Sequence, residues 1–279
     1  IQHNWMENLG FQIGKFGTDI GGIEGMTNSA DLYLKSQAYG GGTLTTTNAL
    51  GTVSYLETEN YRYATGLKAM SKFAGNEISL MLLNQETPAV DGAGKFYQSR
   101  NGYGLVWKGE FLDQTLKPVL SWHQDNLQTQ ANVPAVTMAN TSDKKYDYYA
   151  AGLKYDWEPF FIELDYLYNT YLNRSTVDEA DKTSSVVGTL GGRMENWVAR
   201  LKVESSETEI FTGTGSSTKP KLMGYQAALE YLPTGDKSYR YHLAYVQKDQ
   251  MPDLSGAGSD TQTVQQVFAG VRLFADFLK

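Results

Sequence analysis

Few residues in this chain are equipped for chemistry. There is no Cys and there are 3 His: His3, His123 and His242. That removes a thiolate metal site, a disulfide framework and a cysteine nucleophile, and leaves too few imidazoles for a His-rich metal centre. The most chemical short run is SWHQD at 121–125. Ser121, His123 and Asp125 alternate, so on a strand they share one face. A hydrolytic Ser needs a base within hydrogen-bond reach, and a protease-type site needs an Asp–His dyad near a rim. The plainer account is a histidine on a polar strand face, and it is the expected one. His242, beside Arg240 on its own face, is expected to be of the same kind. The run DGAGK at 91–95 looks like a phosphate loop but has Ala89 where Gly is required and Phe96 where Ser or Thr is required. No catalytic residue, metal ligand set or cofactor is assigned.

Composition bounds the class of molecule. The chain has 279 residues, with 24 Lys+Arg against 31 Asp+Glu and a net charge of −7. An acidic balance argues against a nucleic-acid partner, which selects a basic stripe. Hydrophobic residues are 41%, with 19 Tyr, 28 Gly and 7 Pro. No apolar run approaches the ~18 residues a membrane helix needs. Abundant Tyr and Gly at moderate hydrophobicity suit many strands and turns.

The pattern is period two almost throughout. In 160–171, Phe160, Ile162, Leu164, Tyr166 and Tyr168 fall on one face, with Glu163 and Asp165 on the other. A strand separates these sets and a helix does not. Similar sets recur over 61–73, 78–82, 103–111, 116–122, 149–157, 197–203, 223–231, 239–245 and 267–277. Adding 9–16 and a weak strand near 208–213 makes about twelve strands. Fourteen to sixteen would require further strands within 1–6 and 33–57. Short turns at 74–76, 112–114, 157–159 and 233–236 alternate with long polar connections at 17–59, 86–101, 128–145, 172–190 and 250–262. One end short and one end long, with segments of ~10 residues, is the pattern of an outer-membrane barrel with periplasmic turns and extracellular loops. Phe73, Phe111, Trp157, Phe160, Tyr231 and Tyr239 stand beside the short turns, while Tyr103, Trp122, Tyr149, Tyr166 and Tyr168 lie toward the long loops. Two such girdles mark two membrane interfaces. Pro118 inside a strand and the polar stretch 204–220 fit this pattern least well.

The fold expected is therefore all-β: one transmembrane, antiparallel, up-and-down β-barrel domain over 1–279 in a bacterial outer membrane. Segment 9–25, LGFQIGKFGTDIGGIEG, resembles the strand, Gly-Lys-Phe, loop, Ile-Gly stretch of Gram-negative porins, including the OmpL-like putative porin family. Segment 65–85, TGLKAMSKFAGNEISLMLLNQ, resembles the hairpin that follows in those proteins. The resemblance implies a water-filled diffusion pore, commonly a homotrimer, contacting lipid bilayer and lipopolysaccharide and passing small hydrophilic solutes or ions. It implies no enzymatic activity.

If the apolar face meets lipid, the other face lines the lumen. The pore-lining residues are then Arg62, Lys68, Lys108, Lys117, His123, Lys154, Glu163, Asp165, Arg200, Lys202, Arg240, His242 and Arg272. With Lys72 there are ten inward basic residues against five acids, the others being Glu110, Glu230 and Asp276. A basic wall in a confined aqueous space favours anions, so a weakly anion-selective channel is expected. A constricting loop is expected within 86–101, carrying Asp91, Lys95 and Arg100, or within 17–59. Two other functions suit the same pattern: an outer-membrane barrel enzyme of lipase or protease kind, and a non-pore surface adhesin.

Overall fold

A computed structural model describes residues 2–6, 8–27, 33–40, 63–85, 100–127, 144–173, 180–213, 216–235, 239–251 and 261–273. Its strands are β1 (Gln2–Met6), β2 (Leu9–Gly17), β3 (Tyr63–Phe73), β4 (Asn76–Gln85), β5 (Arg100–Gly109), β6 (Leu116–Leu127) and β7 (Lys144–Trp157). They continue as β8 (Phe160–Asn173), β9 (Asp181–Met194), β10 (Trp197–Gly213), β11 (Ser216–Thr218), β12 (Lys221–Tyr231), β13 (Tyr239–Met251) and β14 (Gln262–Leu273). All belong to one 14-stranded antiparallel sheet in which neighbours in sequence are neighbours in space, except that β11 pairs only with the tip of β10. One short helix, α1 (Gly22–Met26), lies between β2 and β3. Among the described residues β1 and β14 do not pair, so the sheet is open along that seam.

Alternation decides the two faces. Leu80, Leu82, Leu120, Trp157, Leu164, Leu201, Leu243 and Val267 all project outward and are exposed, forming a continuous apolar band. Their in-between neighbours Met81, Leu83, Phe161, Lys202, Ala244 and Val246 point inward and are buried. An outer surface this apolar is the face that a bilayer solvates. Aromatic residues collect where the band meets the short turns. Trp157 lies 6.1 Å from Phe160, Trp197 lies 4.7 Å from Tyr231, and Trp107 lies 6.5 Å from Phe111.

Two features depart from the sequence expectation. Residues 181–194, of which 181–190 were expected within a long loop, form β9, paired to β8 and β10. Between Lys182 and Met194 at its ends, its outward positions are Ser184, Val186, Gly188, Leu190 and Gly192, which is why its alternation is faint. Residues 197–213 form one strand of 17 residues rather than two pieces. With β9 present, every short turn falls at one end and every long connection at the other. Pro118 sits where the ladder tolerates it. The β5–β6 pairing ends at Lys108↔Val119 and resumes only as the Phe111↔Leu116 bridge, so Pro118 falls in the gap.

Candidate functional site: a segment docked inside the barrel

The connection between β2 and β3 turns inward. Residues 18–27 and 33–40 pack against the inner wall, and Leu34, Ser36, Ala38 and Tyr39 are 0–1% exposed. Local sequence permits the turn: Gly21 and Gly22 hold φ of 118° and 66°, which a side chain disfavours. A Cβ on Gly22 would collide with the Asp165 carboxylate, so the second glycine also permits close approach to the wall.

The wall meets this insert with groups that saturate its backbone. Asp165 Oδ1 accepts the Ile23 N–H at 2.7 Å and Oδ2 accepts the Glu24 N–H at 3.1 Å. Ser121 Oγ accepts the Gly21 N–H at 3.1 Å. Gln226 Oε1 accepts the Leu34 N–H at 2.8 Å, and Glu204 Oε1 accepts the Gln37 N–H at 2.5 Å. Ser185 Oγ accepts the Ala38 N–H at 2.9 Å, and Asn169 Nδ2 donates to the Ala38 carbonyl at 3.0 Å. At the centre, Lys202 Nζ reaches Glu24 Oε1 at 2.5 Å and donates to the Leu34 carbonyl at 2.7 Å. Glu24 also accepts the Ser36 N–H at 2.9 Å and the Ser36 hydroxyl. One buried ion pair thus ties both arms of the insert to β10. Buried polar groups require this degree of satisfaction.

The contacts run right across the sheet. Lys68 on β3 pairs with Asp19 at 3.8 Å, and Lys248 on β13 donates to the Lys35 carbonyl at 3.3 Å. Tyr33 lies 5.6 Å from His242, 5.9 Å from Phe268 on β14, and under Arg272 at 5.3 Å. Among the described residues, the insert spans the inner face from β3 to β14.

The expected pore-lining residues occupy the inner wall, but not as a bare basic surface. Lys108 pairs with Asp19 of the insert at 3.0 Å and with Glu77 at 2.6 Å. Lys117 reaches Asp156 at 3.2 Å, Lys154 reaches Glu163 at 2.7 Å, and Arg200 and Arg240 reach Glu230 at 3.0 and 3.4 Å. Glu77 and Asp156, on strand positions beside the short turns, belong to this network. His123 is buried against Tyr146, at a ring separation of 6.4 Å. Arg62, Asp91, Lys95 and Asp276 lie outside the described residues; for Arg100 and Asp125 the backbone alone is described. Of the two stretches expected to constrict the lumen, 17–59 is the one whose described part lies inside. Sequence reasoning missed Glu24, Glu204 and Gln226. Glu204 was legible in principle, because it continues the parity of Arg200 and Lys202. Glu24 was not, because its role depends on a loop folding back.

No protein-family model and no curated protein matches this chain. Solved structures do. OmpT of Vibrio cholerae, expressed in the outer membrane, matches with a TM-score of 0.56 at 13% identity, over 94% of this chain and 75% of that one. An in-vitro folded, trimeric form of the same Vibrio cholerae outer membrane protein matches with a TM-score of 0.55 at 14% identity, over 94% and 74%. At such identity the likeness carries the fold alone. The fold and these neighbours define the class: the chain is an outer-membrane β-barrel protein. They do not reach the narrower OmpL-like porin family.

The functional expectation is corrected at this point. Residues 18–27 and 33–40 take up part of the inner space that a passive porin keeps filled with water. The excess of inward basic charge, on which anion selectivity rested, is met by Asp19, Glu24, Glu77, Asp156 and Glu204 in addition to the acids counted from sequence. The passive, anion-selective porin is therefore withdrawn.

Proposed function

We propose that this is a plugged outer-membrane barrel, in which residues 18–27 and 33–40 close the lumen at rest and whose activity depends on their displacement. The observation that supports it is the Glu24–Lys202 pair, 2% and 6% exposed, which draws both arms of the insert onto the wall. A planar-bilayer recording tests it. The wild-type protein is expected to give little current, and Lys202→Met combined with Asp165→Asn is expected to give stable ohmic steps. Heat-modifiable mobility on a gel confirms that each variant is folded. Ohmic steps of equal size from both proteins would overturn the proposal.

A second reading, a hydrolytic barrel, is favoured by one observation. Ser121 and His123 both face inward on β6, and the insert covers them through the Gly21 N–H to Ser121 Oγ bond at 3.1 Å. Here displacement of the insert would uncover the hydroxyl. Ester hydrolysis by the Lys202→Met/Asp165→Asn variant, abolished by further Ser121→Ala, is the expected sign. No turnover from the opened barrel would remove this reading.

A further inference from the structure

On the outer wall, in the part of the apolar band nearest the short turns, the side chains shrink. Gly192 on β9, Ala199 on β10 and Ala227 on β12 floor an apolar depression of about 630 Å3. Phe160, Leu229 and Leu243 rise around it. Pairing sets its place in the membrane. Ala199 is paired with Gly192 and Leu229, and Leu229 with Leu243, so these lie at one level. Two residues nearer the turns, Trp197 pairs with Tyr231 and Tyr231 with Tyr241. There the rings form a chain, with centroids 4.7 Å apart for Trp197–Tyr231, 6.4 Å for Tyr231–Tyr241 and 5.2 Å for Tyr239–Tyr241. The Tyr239 hydroxyl donates to the Tyr241 hydroxyl at 2.5 Å.

An apolar hollow with a cluster of amphipathic rings at its turn-side end has the polarity of a lipid molecule: chain in the hollow, ester and headgroup region at the rings. We infer that this is a binding site for one acyl chain of a phospholipid from the periplasm-facing leaflet. The position follows from the short turns, which are periplasmic. The occupant follows from shape and surroundings. The hollow opens on the lipid-facing wall, and its rim of Phe160, Leu229 and Leu243 is apolar. A neighbouring protein subunit would have to present a ridge, and its apolar ridge would leave the phenolic hydroxyls at the hollow's end without use.

Native mass spectrometry of the full chain, released from mild detergent after delipidation, tests the site. The wild-type protein is expected to retain one phospholipid. Ala199→Leu with Ala227→Leu fills the floor and is expected to lower the lipid-bound fraction about tenfold, the loss of roughly two buried methylene contacts. Leu80→Phe, on a distant part of the same outer face, is expected to leave retention unchanged. Three results would overturn the inference. Folded wild-type protein could carry no lipid. The double variant could retain as much lipid as wild type. Or the wild type could run as an oligomer that the double variant dissociates, which assigns the hollow to a second copy.

Discussion

Lys202 and Glu24 illustrate how a single contact can govern a segment. The ammonium bonds Glu24 in the first arm and the Leu34 carbonyl in the second, and both charges are out of water. Removing one member of a buried pair leaves the other uncompensated, at a cost of about 3–5 kcal/mol. Lys202→Met is therefore expected to loosen the insert by that order, read as faster hydrogen exchange over 18–40 with the strands unchanged. Replacing both, Lys202→Met with Glu24→Leu, is expected to cost much less, because no stranded charge remains. Gly152 on β7 offers a steric counterpart. A Cβ there would meet Asp165 Oδ1 and, at 2.8 Å, the Ile23 nitrogen. Gly152→Leu is expected to expel the insert while leaving the outer face intact. Equal protection of 18–40 in the variant would contradict this.

At the scale of the element, each strand works as a partition between two solvents. Leu201 is 59% exposed on the outer wall, and its neighbour Lys202 is buried inside. Burying a cation in the lipid midplane costs about 2–4 kcal/mol, falling to about 0–1 near the interface. Leu201→Arg is thus expected to lower barrel stability in vesicles by about 2–4 kcal/mol. Glu207→Arg, close to the long-loop rim of the same strand, is expected to cost under about 1 kcal/mol. Urea unfolding of the refolded protein checks both. A similar penalty at the two positions would mean that β10 does not cross the membrane as assigned. β9 shows the other side of this logic. Its outward face is mostly small and its inward face carries Thr183, Ser185 and Thr189 against the insert and β10. Neither face advertises a strand, yet its ladders to both neighbours are complete.

For the molecule as a whole, the decisive issue is whether the lumen is open. A barrel satisfies its backbone hydrogen bonds between strands, so it needs only one apolar face to cross lipid. That leaves the inner face free to bind something, and here the described insert is what it binds. The expected outcome is a protein that folds and inserts, conducts little, and conducts steadily once the insert is unpinned. The insert's contacts reach from Lys68 on β3 to Phe268 on β14. A partial release, as in Lys202→Met alone, is expected to give flickering current rather than full steps. Steady full steps from that single variant would mean that the remaining bonds to Asp165, Glu204 and Ser185 contribute nothing to closure.

The residue types alone determined the membrane-facing surface. Period-two alternation, the sorting of turn lengths and the positions of Trp157, Phe160 and Tyr231 are local properties, and each strand carries them without reference to its partners. They placed Lys68, His123, Asp165, Lys202 and Arg240 on the inner wall. Strand count was less legible, because Ser184, Gly188 and Gly192 interrupt the outward face of β9, which becomes a strand through its pairing to β8 and β10. What docks on the inner wall was decided only by the tertiary structure. The segment DIGGIEG has the glycines for a tight turn, but nothing in its own pattern says that Glu24 will meet Lys202, 178 residues away. Such a pair exists only once the sheet has curved, since closing so long a loop is repaid by contacts that several strands make together. Charge counted along single strands therefore gave a basic lumen, and folding brought Asp19 and Glu24 of the insert against Lys108 and Lys202.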